Sequence, residues 1–127
     1  MEVRRYSEEA DYTKMMALFQ SEENWNWFLS EERKGKHKKS LKESIVYAAY
    51  LKTELIGYLR AIEDMGSLIY VCELLVNKEY RGRNTGKQLL ERLPQDYPEH
   101  LIFIMSDEDS YYKKLGYPVE GSIFKQA

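Results

Sequence analysis

The chain has 127 residues, which is typical of one domain because domains usually contain about 100–150 residues. Its hydrophobic content of 43%, with 13% aromatic residues, can supply a core and argues against disorder of the whole chain. The net charge of −2, from 21 acidic and 19 basic residues, argues against a dedicated nucleic-acid binder. We therefore expect a single domain over residues 1–127.

Cysteine and histidine are too sparse to predict a disulfide or a metal site. The single cysteine, Cys72, cannot form a disulfide within the chain or a multi-cysteine zinc site, and we expect it to be an inert buried thiol. The two histidines, His37 and His100, have no partner at ligand spacing and are expected at the surface. The sequence thus predicts no metal cofactor.

No segment of the sequence predicts membrane insertion or export. The amino terminus lacks the apolar core of a signal peptide. The longest apolar stretch, Leu68–Val76, is interrupted by Glu73 and is too short to span a bilayer. We expect a cytoplasmic protein without a membrane partner.

The first third of the chain predicts one strand and two helical segments. A short strand is expected over Glu2–Tyr6, followed by an amphipathic helix over Glu8–Gln20 with Ser7 as its N-cap. A shorter helical piece around Glu22–Ser30 carries three large aromatic residues, interpreted either as core or as a pocket wall: Trp25, Trp27 and Phe28. The basic segment Arg33–Lys42 is interpreted as a mobile, solvated loop, with an acidic partner or a ligand phosphate as the alternatives.

The middle of the chain predicts an antiparallel meander of three strands. Two runs rich in β-branched and aromatic residues, Ser44–Leu51 and Leu55–Ile62, are separated by only three residues and predict a hairpin. A turn at Gly66 and Ser67 leads into a long buried strand, Leu68–Val76.

The last third alternates between helices and strands. A helix is expected over Asn84–Leu93, ended by Pro94. The following segments predict a strand, a helix and a final short strand: His100–Met105, Asp107–Leu115 and Val119–Phe124. The predicted order is β-α-α-β-β-β-α-β-α-β, a mixed α/β fold with a mixed sheet.

A basic, glycine-containing loop joins the strand that ends at Val76 to the next helix. The free N–H groups of a helix's first turn and the positive end of its dipole attract anions. Arg81, Arg83 and Lys87 add positive charge at the same place. Asn84 tolerates the left-handed conformation that phosphate-binding loops use. The loop therefore predicts an anion site.

Two widespread phosphate-binding motifs do not match this loop. A P-loop ends in Gly-Lys followed by Ser or Thr, whereas Gln88 follows Gly86 and Lys87 here. The dinucleotide fingerprint requires three glycines, and only Gly82 and Gly86 are present.

The loop instead resembles the pyrophosphate motif of the GNAT superfamily of acyl-CoA-dependent N-acetyltransferases, Gln/Arg-x-x-Gly-x-Gly/Ala, at Arg81–Gly86. A second stretch, Tyr111–Tyr117, resembles that family's aromatic-Tyr-x-x-Leu-Gly-Phe motif. The resemblance extends over essentially the whole chain and implies the GNAT fold, with acetyl-CoA as co-substrate. Two departures are that Asn84 replaces the first motif glycine and that only Pro118–Ala127 follows the second motif. A short carboxy terminus leaves a sheet edge that the second subunit of a homodimer could cover.

The resemblance also implies roles for individual residues. The main chain of Leu74, Leu75 and Val76 would hold the pantetheine arm and the acetyl carbonyl. The pyrophosphate would be bound by the loop, at Arg81, Gly82, Arg83, Asn84, Thr85, Gly86 and Lys87. Tyr112 matches the tyrosine acid that protonates the coenzyme A sulfur, with Tyr111 as its rival.

Glu73 has two interpretations. As a carboxylate inside an apolar strand, it is a candidate general base whose pKa burial would raise. It could equally be a structural carboxylate paired with Arg60 or with a lysine on a neighbouring strand.

The sequence therefore predicts transfer of an acetyl group from acetyl-CoA to a primary amine by direct attack on the thioester. The acceptor, a small molecule or a protein, remains open because the acceptor pocket is the least diagnostic part of the fold. The alternatives are a non-catalytic acyl-CoA-binding or regulatory module of the same fold and a nucleic-acid-associated protein using Arg33–Lys42. The net charge disfavours the last of these.

Overall fold

In the computed structural model, which describes residues 1–127, five strands form one mixed sheet in the order β1-β2-β3-β4-β5. The first four strands pair antiparallel, and β5 pairs parallel with β4. The strands are β1 Glu2–Arg5, β2 Ile45–Leu51, β3 Glu54–Asp64, β4 Leu68–Val76 and β5 Leu101–Ile104. The helices are α1 Glu8–Gln20, α2 Glu31–Glu43, α3 Thr85–Asp96 and α4 Asp109–Lys114. This confirms the predicted mixed α/β class and the three-stranded meander.

Two hydrophobic cores lie on opposite faces of the sheet, because alternate side chains of each strand point to opposite sides. In β2, Tyr47 belongs to one core and Ala48 to the other. The first core packs against α3 through Leu89, Leu90 and Leu93. The second packs against α1 and α2 through Met15, Leu18, Phe19 and Leu41. No helix is long and apolar enough to cross a membrane.

Helix α1 begins where the sequence predicts, but Asp11 rather than the Ser7 side chain caps it. Ser7 makes no side-chain cap bond. Its N–H donates to Asp11 Oδ2 at 2.8 Å, and the Asp11 side chain is fully buried. The other carboxylate oxygen accepts hydrogen bonds from Arg4 at 3.0 Å and from the Tyr50 hydroxyl. Asp11 thereby joins α1 to β1 and β2.

The prediction of a mobile loop over Arg33–Lys42 is wrong, because these residues form most of α2. Ser30 caps this helix by accepting a hydrogen bond from the Arg33 N–H at 3.3 Å. His37 and Leu41, four residues apart, lie on one face and are buried, while the lysines face solvent. The basic residues therefore form the outer surface of an ordinary amphipathic helix.

Two predictions in the carboxy-terminal third are also wrong. Helix α3 continues through Pro94 to Asp96, because the proline removes only one helical hydrogen bond and the Tyr97 N–H bonds to the Leu93 carbonyl at 2.7 Å. The expected final strand, Val119–Phe124, does not form. Its backbone makes no hydrogen bond and all of its residues are exposed, so nothing in the single chain stabilises a strand there.

Candidate active site

The loop between β4 and α3 presents a run of unpaired backbone N–H groups. Gly82 and Asn84 both have left-handed conformations, with φ of 83° and 62°. No backbone N–H from residue 81 to residue 87 donates to a protein acceptor, and the first helical bond of α3 runs from Gln88 N to Asn84 O at 3.0 Å. Such a run of free donors at a helix start suits a phosphate group. The predicted anion loop therefore has the conformation that anion binding requires.

The basic side chains of this loop are arranged unequally. Arg81 donates from Nε to the Val76 carbonyl at 3.1 Å and forms an ion pair with Glu22 at 2.9 Å. Arg83 lies over the Tyr80 ring, 5.3 Å from its centroid. Lys87 is exposed on the first turn of α3. Arg81 thus ties the loop to the end of β4, whereas Arg83 and Lys87 remain at the surface.

Strands β4 and β5 separate next to this loop. Their pairing covers only Leu68–Val71 of β4, and its last hydrogen bond runs from Met105 N to Val71 O at 2.9 Å. Beyond Val71, β4 is paired with β3 alone. The sheet therefore has an open gap beside residues 72–76.

A β-bulge at Cys72 determines which groups face the gap. Val71 pairs with Ala61 and Glu73 pairs with Arg60, so Cys72 is an extra residue in β4. The bulge moves the side chains after it to the opposite face. Val71 therefore belongs to the core under α3, and Leu75 belongs to the core under α1 and α2.

The main-chain N–H and C=O groups of successive β4 residues point alternately toward β3 and toward the gap. The Asn77 N–H bonds to the Ile56 carbonyl on β3 at 2.8 Å, so the main-chain groups of Leu75, two residues earlier, also face β3. Those of Leu74 and Val76 face the gap. Of the three residues predicted to bind the pantetheine arm, Leu74 and Val76 direct main-chain groups toward the gap, and Leu75 directs its groups toward β3. The Val76 carbonyl already accepts the hydrogen bond from Arg81.

Glu73 lies at the centre of a buried polar cluster on the other face of β4. Its Oε1 accepts hydrogen bonds from His37 Nε2 at 2.9 Å and from the Tyr58 hydroxyl at 2.5 Å. Its Oε2 accepts from Arg60, whose Nε and Nη2 lie 2.9 and 2.8 Å away. Glu73 is 9% exposed. The pairing with Arg60 that one interpretation anticipated is therefore present.

The expectation that burial raises the pKa of Glu73 is wrong. Burial alone would raise it, but the hydrogen bonds from His37, Arg60 and Tyr58, with the charge of Arg60, lower the pKa to about 2. The carboxylate therefore stays ionised at neutral pH and is a weak proton acceptor.

His37 is not at the surface, contrary to the prediction. Its side chain is 6% exposed, and its ring lies 4.2 Å from that of Phe28 and 5.2 Å from that of Phe19. The other histidine, His100, directly precedes β5, is 15% exposed and forms a hydrogen bond with Glu63 of β3. Both histidines thus have carboxylate partners that the sequence does not place near them.

The aromatic residues between α1 and α2 surround this polar cluster. They lie on a short 3-10 helix, Glu23–Leu29, here named the aromatic segment. Trp25 and Phe28 are half-buried and pack on Phe19, whereas Trp27 is 56% exposed beneath the Arg33 guanidinium. Trp25 and Phe28 therefore extend the core, as one of the two interpretations expected, and the role of pocket wall stays a prediction.

Tyr111 and Tyr112 both pack against the core under α3, with their rings 5.1 Å apart. Tyr111 lies over the start of α3. A Cβ atom placed on Gly86 would be 2.3 Å from the Tyr111 hydroxyl, so only glycine fits there. Burial raises the pKa of both phenols, that of Tyr112 to about 12. Each hydroxyl therefore keeps its proton at neutral pH.

A model of the GNAT acetyltransferase domain matches residues 42–119, which include the gap, the anion loop and both tyrosines. The chain belongs to the GNAT acetyltransferase family. No three His, Cys, Asp or Glu side chains lie close enough together to hold a metal ion. The comparison with curated protein sequences gave no match.

Solved GNAT structures align with nearly the whole chain. An aminoglycoside acetyltransferase from an uncultured soil sample has a TM-score of 0.75 at 22% identity, covering 99% of this chain and 97% of that one. The PaiA N-acetyltransferase of Thermoplasma acidophilum, solved with coenzyme A, has a TM-score of 0.74 at 21% identity, covering 96% and 92%. A ribosomal-protein-alanine N-acetyltransferase of Brucella melitensis has a TM-score of 0.77 at 13% identity, covering 99% of this chain and 97% of that one. At these identities the likeness establishes the GNAT fold.

Sequence reasoning missed His37 and Tyr58 as members of the site. A signal for His37 was available, because Ser30 followed by Glu31 and Glu32 is a typical helix start. A helix begun there places His37 and Leu41 on one inward face. Tyr58 carried no such signal, because the sequence does not distinguish it from the other tyrosines in the predicted strands, and none of them indicates a polar partner.

Proposed function

We propose that the chain is an acetyl-CoA-dependent N-acetyltransferase that transfers the acetyl group to a primary amine by direct attack on the thioester. The proposal includes a single domain over residues 1–127 and a cytoplasmic location. The observation that carries it is the run of unpaired N–H groups from residue 81 to residue 87 beside the gap between β4 and β5.

The residues present fit coenzyme A. The amides of the loop Arg81–Lys87 would bind the pyrophosphate, with Arg83 and Lys87 supplying charge. The main-chain N–H and C=O of Leu74 and the N–H of Val76 would pair with the pantetheine arm, as an added strand would. Bound acetyl-CoA supplies the activated acetyl thioester, and an N–H donor at this edge would stabilise the negative charge that develops on the carbonyl oxygen.

Tyr112 is the proposed proton donor to the leaving sulfur. It matches the tyrosine of the second family motif, and its buried phenol, with a pKa of about 12, keeps its proton at neutral pH. Glu73 has a supporting role in this scheme, because four protein donor atoms already occupy its two oxygens.

Calorimetric titration with acetyl-CoA, with ATP and NAD as controls, tests the binding part of the proposal. We expect binding of acetyl-CoA alone, in the micromolar range of dissociation constants. Turnover is then measured with kanamycin, spermidine and an alanine-initiated peptide as amines. We expect Tyr112→Phe to lower kcat by about 10²-fold or more without changing the dissociation constant of acetyl-CoA.

Tyr111→Phe is the matched control and should retain the wild-type rate. Equal losses in the two variants would remove Tyr112 from its proposed role. Binding of acetyl-CoA without acetylation of any amine would instead support the non-catalytic module, and absence of binding would reject the proposal as a whole.

A further inference from the structure

We propose that His37 is a further catalytic residue, whose Nδ1 accepts the proton of the acceptor ammonium group while Glu73 orients the ring. This inference rests on the proposed N-acetyltransferase function and adds the group that converts an ammonium into a nucleophilic amine. Helix α2, which carries His37, lies outside both family motifs.

The first argument is an unsatisfied atom. His37 Nε2 lies 2.9 Å from Glu73 Oε1, whereas Nδ1 is buried and has no hydrogen-bond partner. His37 Nδ1 is one of five buried side-chain polar atoms without a protein partner, and it is the one that belongs to the Glu73 cluster. Buried polar atoms in folded proteins nearly always have a partner, which a bound molecule can supply. An amine or a water that bridges to it would supply the missing partner of Nδ1.

The second argument concerns the position of the ring proton. Glu73 is an ionised acceptor, so Nε2 must carry the hydrogen of their bond. A second proton, on Nδ1, would leave a buried donor without a partner. The negative charge of Glu73 is already balanced by Arg60 and does not require a positive charge on the ring. The arrangement therefore favours the tautomer that has its hydrogen on Nε2 and its lone pair on Nδ1. A carboxylate that fixes the tautomer of a histidine base is a recurring catalytic arrangement.

The third argument is the location of the pair. Glu73 directly precedes Leu74, whose main chain faces the gap between β4 and β5. The His37–Glu73 pair lies on the α1 and α2 side of the sheet, whereas the Leu74 side chain packs on the α3 side. The pair is thus one residue along β4 from the main chain proposed to hold the acetyl group. The aromatic segment covers this face through Phe28 and Trp25, which are only half-buried.

Charged and titratable groups surround the pair from each packed element. Strand β3 contributes Tyr58 and Arg60, β4 contributes Glu73 and the Cys72 thiol, and α2 contributes Arg33 one turn before His37. The facing side chains of α1 and the aromatic segment are Phe19 and Phe28, which carry no charge. His37 is therefore the only imidazole among these groups.

The proton transfer balances without any further reactant. An N–H bond of the acceptor ammonium breaks and an Nδ1–H bond forms, which leaves a neutral amine and an imidazolium next to the Glu73 carboxylate. The amine then attacks the thioester carbonyl: the C–N bond forms, the C–S bond breaks, and the sulfur takes the Tyr112 proton. The second N–H proton of the amine passes to Tyr112, and His37 releases its proton to solvent before the next turnover.

The tautomer can be measured without a known acceptor. The chain has only two histidines, so a long-range ¹H–¹⁵N spectrum of ¹⁵N-labelled protein at pH 7.5 contains two imidazoles, which His37→Gln and His100→Gln assign. We expect His37 to carry its proton on Nε2 and to have an unprotonated Nδ1. A proton on Nδ1 in the ligand-free protein, in either the other tautomer or an imidazolium, would overturn the proposal.

Kinetics then test the role. Gln at position 37 can still donate to Glu73 but has no basic nitrogen. We expect His37→Gln to lower kcat/KM for the amine by about 10²-fold or more and to remove the fall in rate on the acid side of the pH profile. The dissociation constant of acetyl-CoA should be unchanged. His100→Gln, which alters the other carboxylate-paired histidine, should keep the wild-type profile.

The outcomes separate this inference from the proposed function. If the wild type acetylates an amine and His37→Gln stays within threefold of its rate with the same acid limb, only the role of His37 fails. If the wild type binds acetyl-CoA but acetylates none of the three amines, the enzyme proposal and this inference fail together. Loss of rate with an unchanged pH profile would mean that His37 acts only through packing.

Discussion

Glu73 shows how partners can reverse the effect of burial on a single residue. Its pKa of about 2 lies below the ordinary value of 4.5, so the folded state favours the ionised carboxylate. The stabilisation is complete above about pH 4.5 and is lost as the pH falls toward 2. One pKa unit corresponds to about 1.4 kcal/mol, so we expect Glu73→Gln to lower the free energy of unfolding by about 3 kcal/mol at pH 7.

Urea unfolding at pH 7 and pH 3 measures this effect. The difference between the wild type and Glu73→Gln should shrink at pH 3, because the carboxyl group is then protonated in the unfolded chain but still mostly ionised in the folded protein, so that proton uptake favours unfolding. Glu63→Gln is the matched control, since Glu63 also bonds a histidine but is 41% exposed. Its effect should be below about 0.5 kcal/mol. A difference for Glu73→Gln that does not change with pH would contradict the assignment.

At the scale of elements, α3 and α4 meet at one close contact. A Cβ on Gly86 would lie 2.3 Å from the Tyr111 hydroxyl and 3.3 Å from its Cζ. We expect Gly86→Ala to destabilise the fold by about 1–3 kcal/mol, because the Tyr111 ring must move. Tyr111→Phe removes the hydroxyl, so the double variant should recover most of the lost stability. Thermal unfolding of the two single variants and the double variant measures this coupling.

Gly35→Ala is the control for this cycle. Gly35 is exposed in α2 and has no atom within 4 Å of an added Cβ. Alanine has the higher helix propensity, so this variant should gain about 0.5–1 kcal/mol. Equal destabilisation of Gly86→Ala with and without the Tyr111 hydroxyl would show that the clash lies elsewhere.

The elements also show what sequence patterns could and could not reveal. The strands of the meander and helix α1 were predictable because β-branched runs and helical spacing report packing directly. The glycines and basic residues at the start of α3 predicted the anion loop, and the first family motif matched it. Helix α2 was misread because a count of lysines and arginines hides its narrow inward face, formed by His37 and Leu41.

The polar cluster could not be predicted for a different reason. The burial of β4 alternates regularly through the bulge at Cys72, so the sequence shows no break there. Yet this single extra residue moves Glu73 to the face that holds His37 and Tyr58. Which face a residue occupies after a bulge is decided by the pairing register, which only the structure specifies.

At the scale of the whole molecule, the chain has an exposed edge and an unpaired tail. Strand β5 pairs only with β4, and residues 118–127 make no backbone hydrogen bond. The tail exposes three apolar side chains, Val119, Ile123 and Phe124. A single copy therefore gains little stability from it. We expect deletion of residues 119–127 to change the free energy of unfolding by less than about 0.5 kcal/mol and to leave acetyl-CoA binding intact.

Chemical denaturation measures the free energy of unfolding of the full and shortened chains, calorimetry their acetyl-CoA binding, and sedimentation their mass in solution. Both chains should unfold at the same denaturant concentration and bind acetyl-CoA equally, because the anion loop and the gap lie on α3, β4 and β5. Replacement of Phe124 by Ser in the full chain is the milder control for the exposed apolar surface. A shortened chain that is less stable and has half the sedimented mass would contradict the expectation. The tail would then pair with a second copy, as the predicted strand over Val119–Phe124 and a homodimer would require.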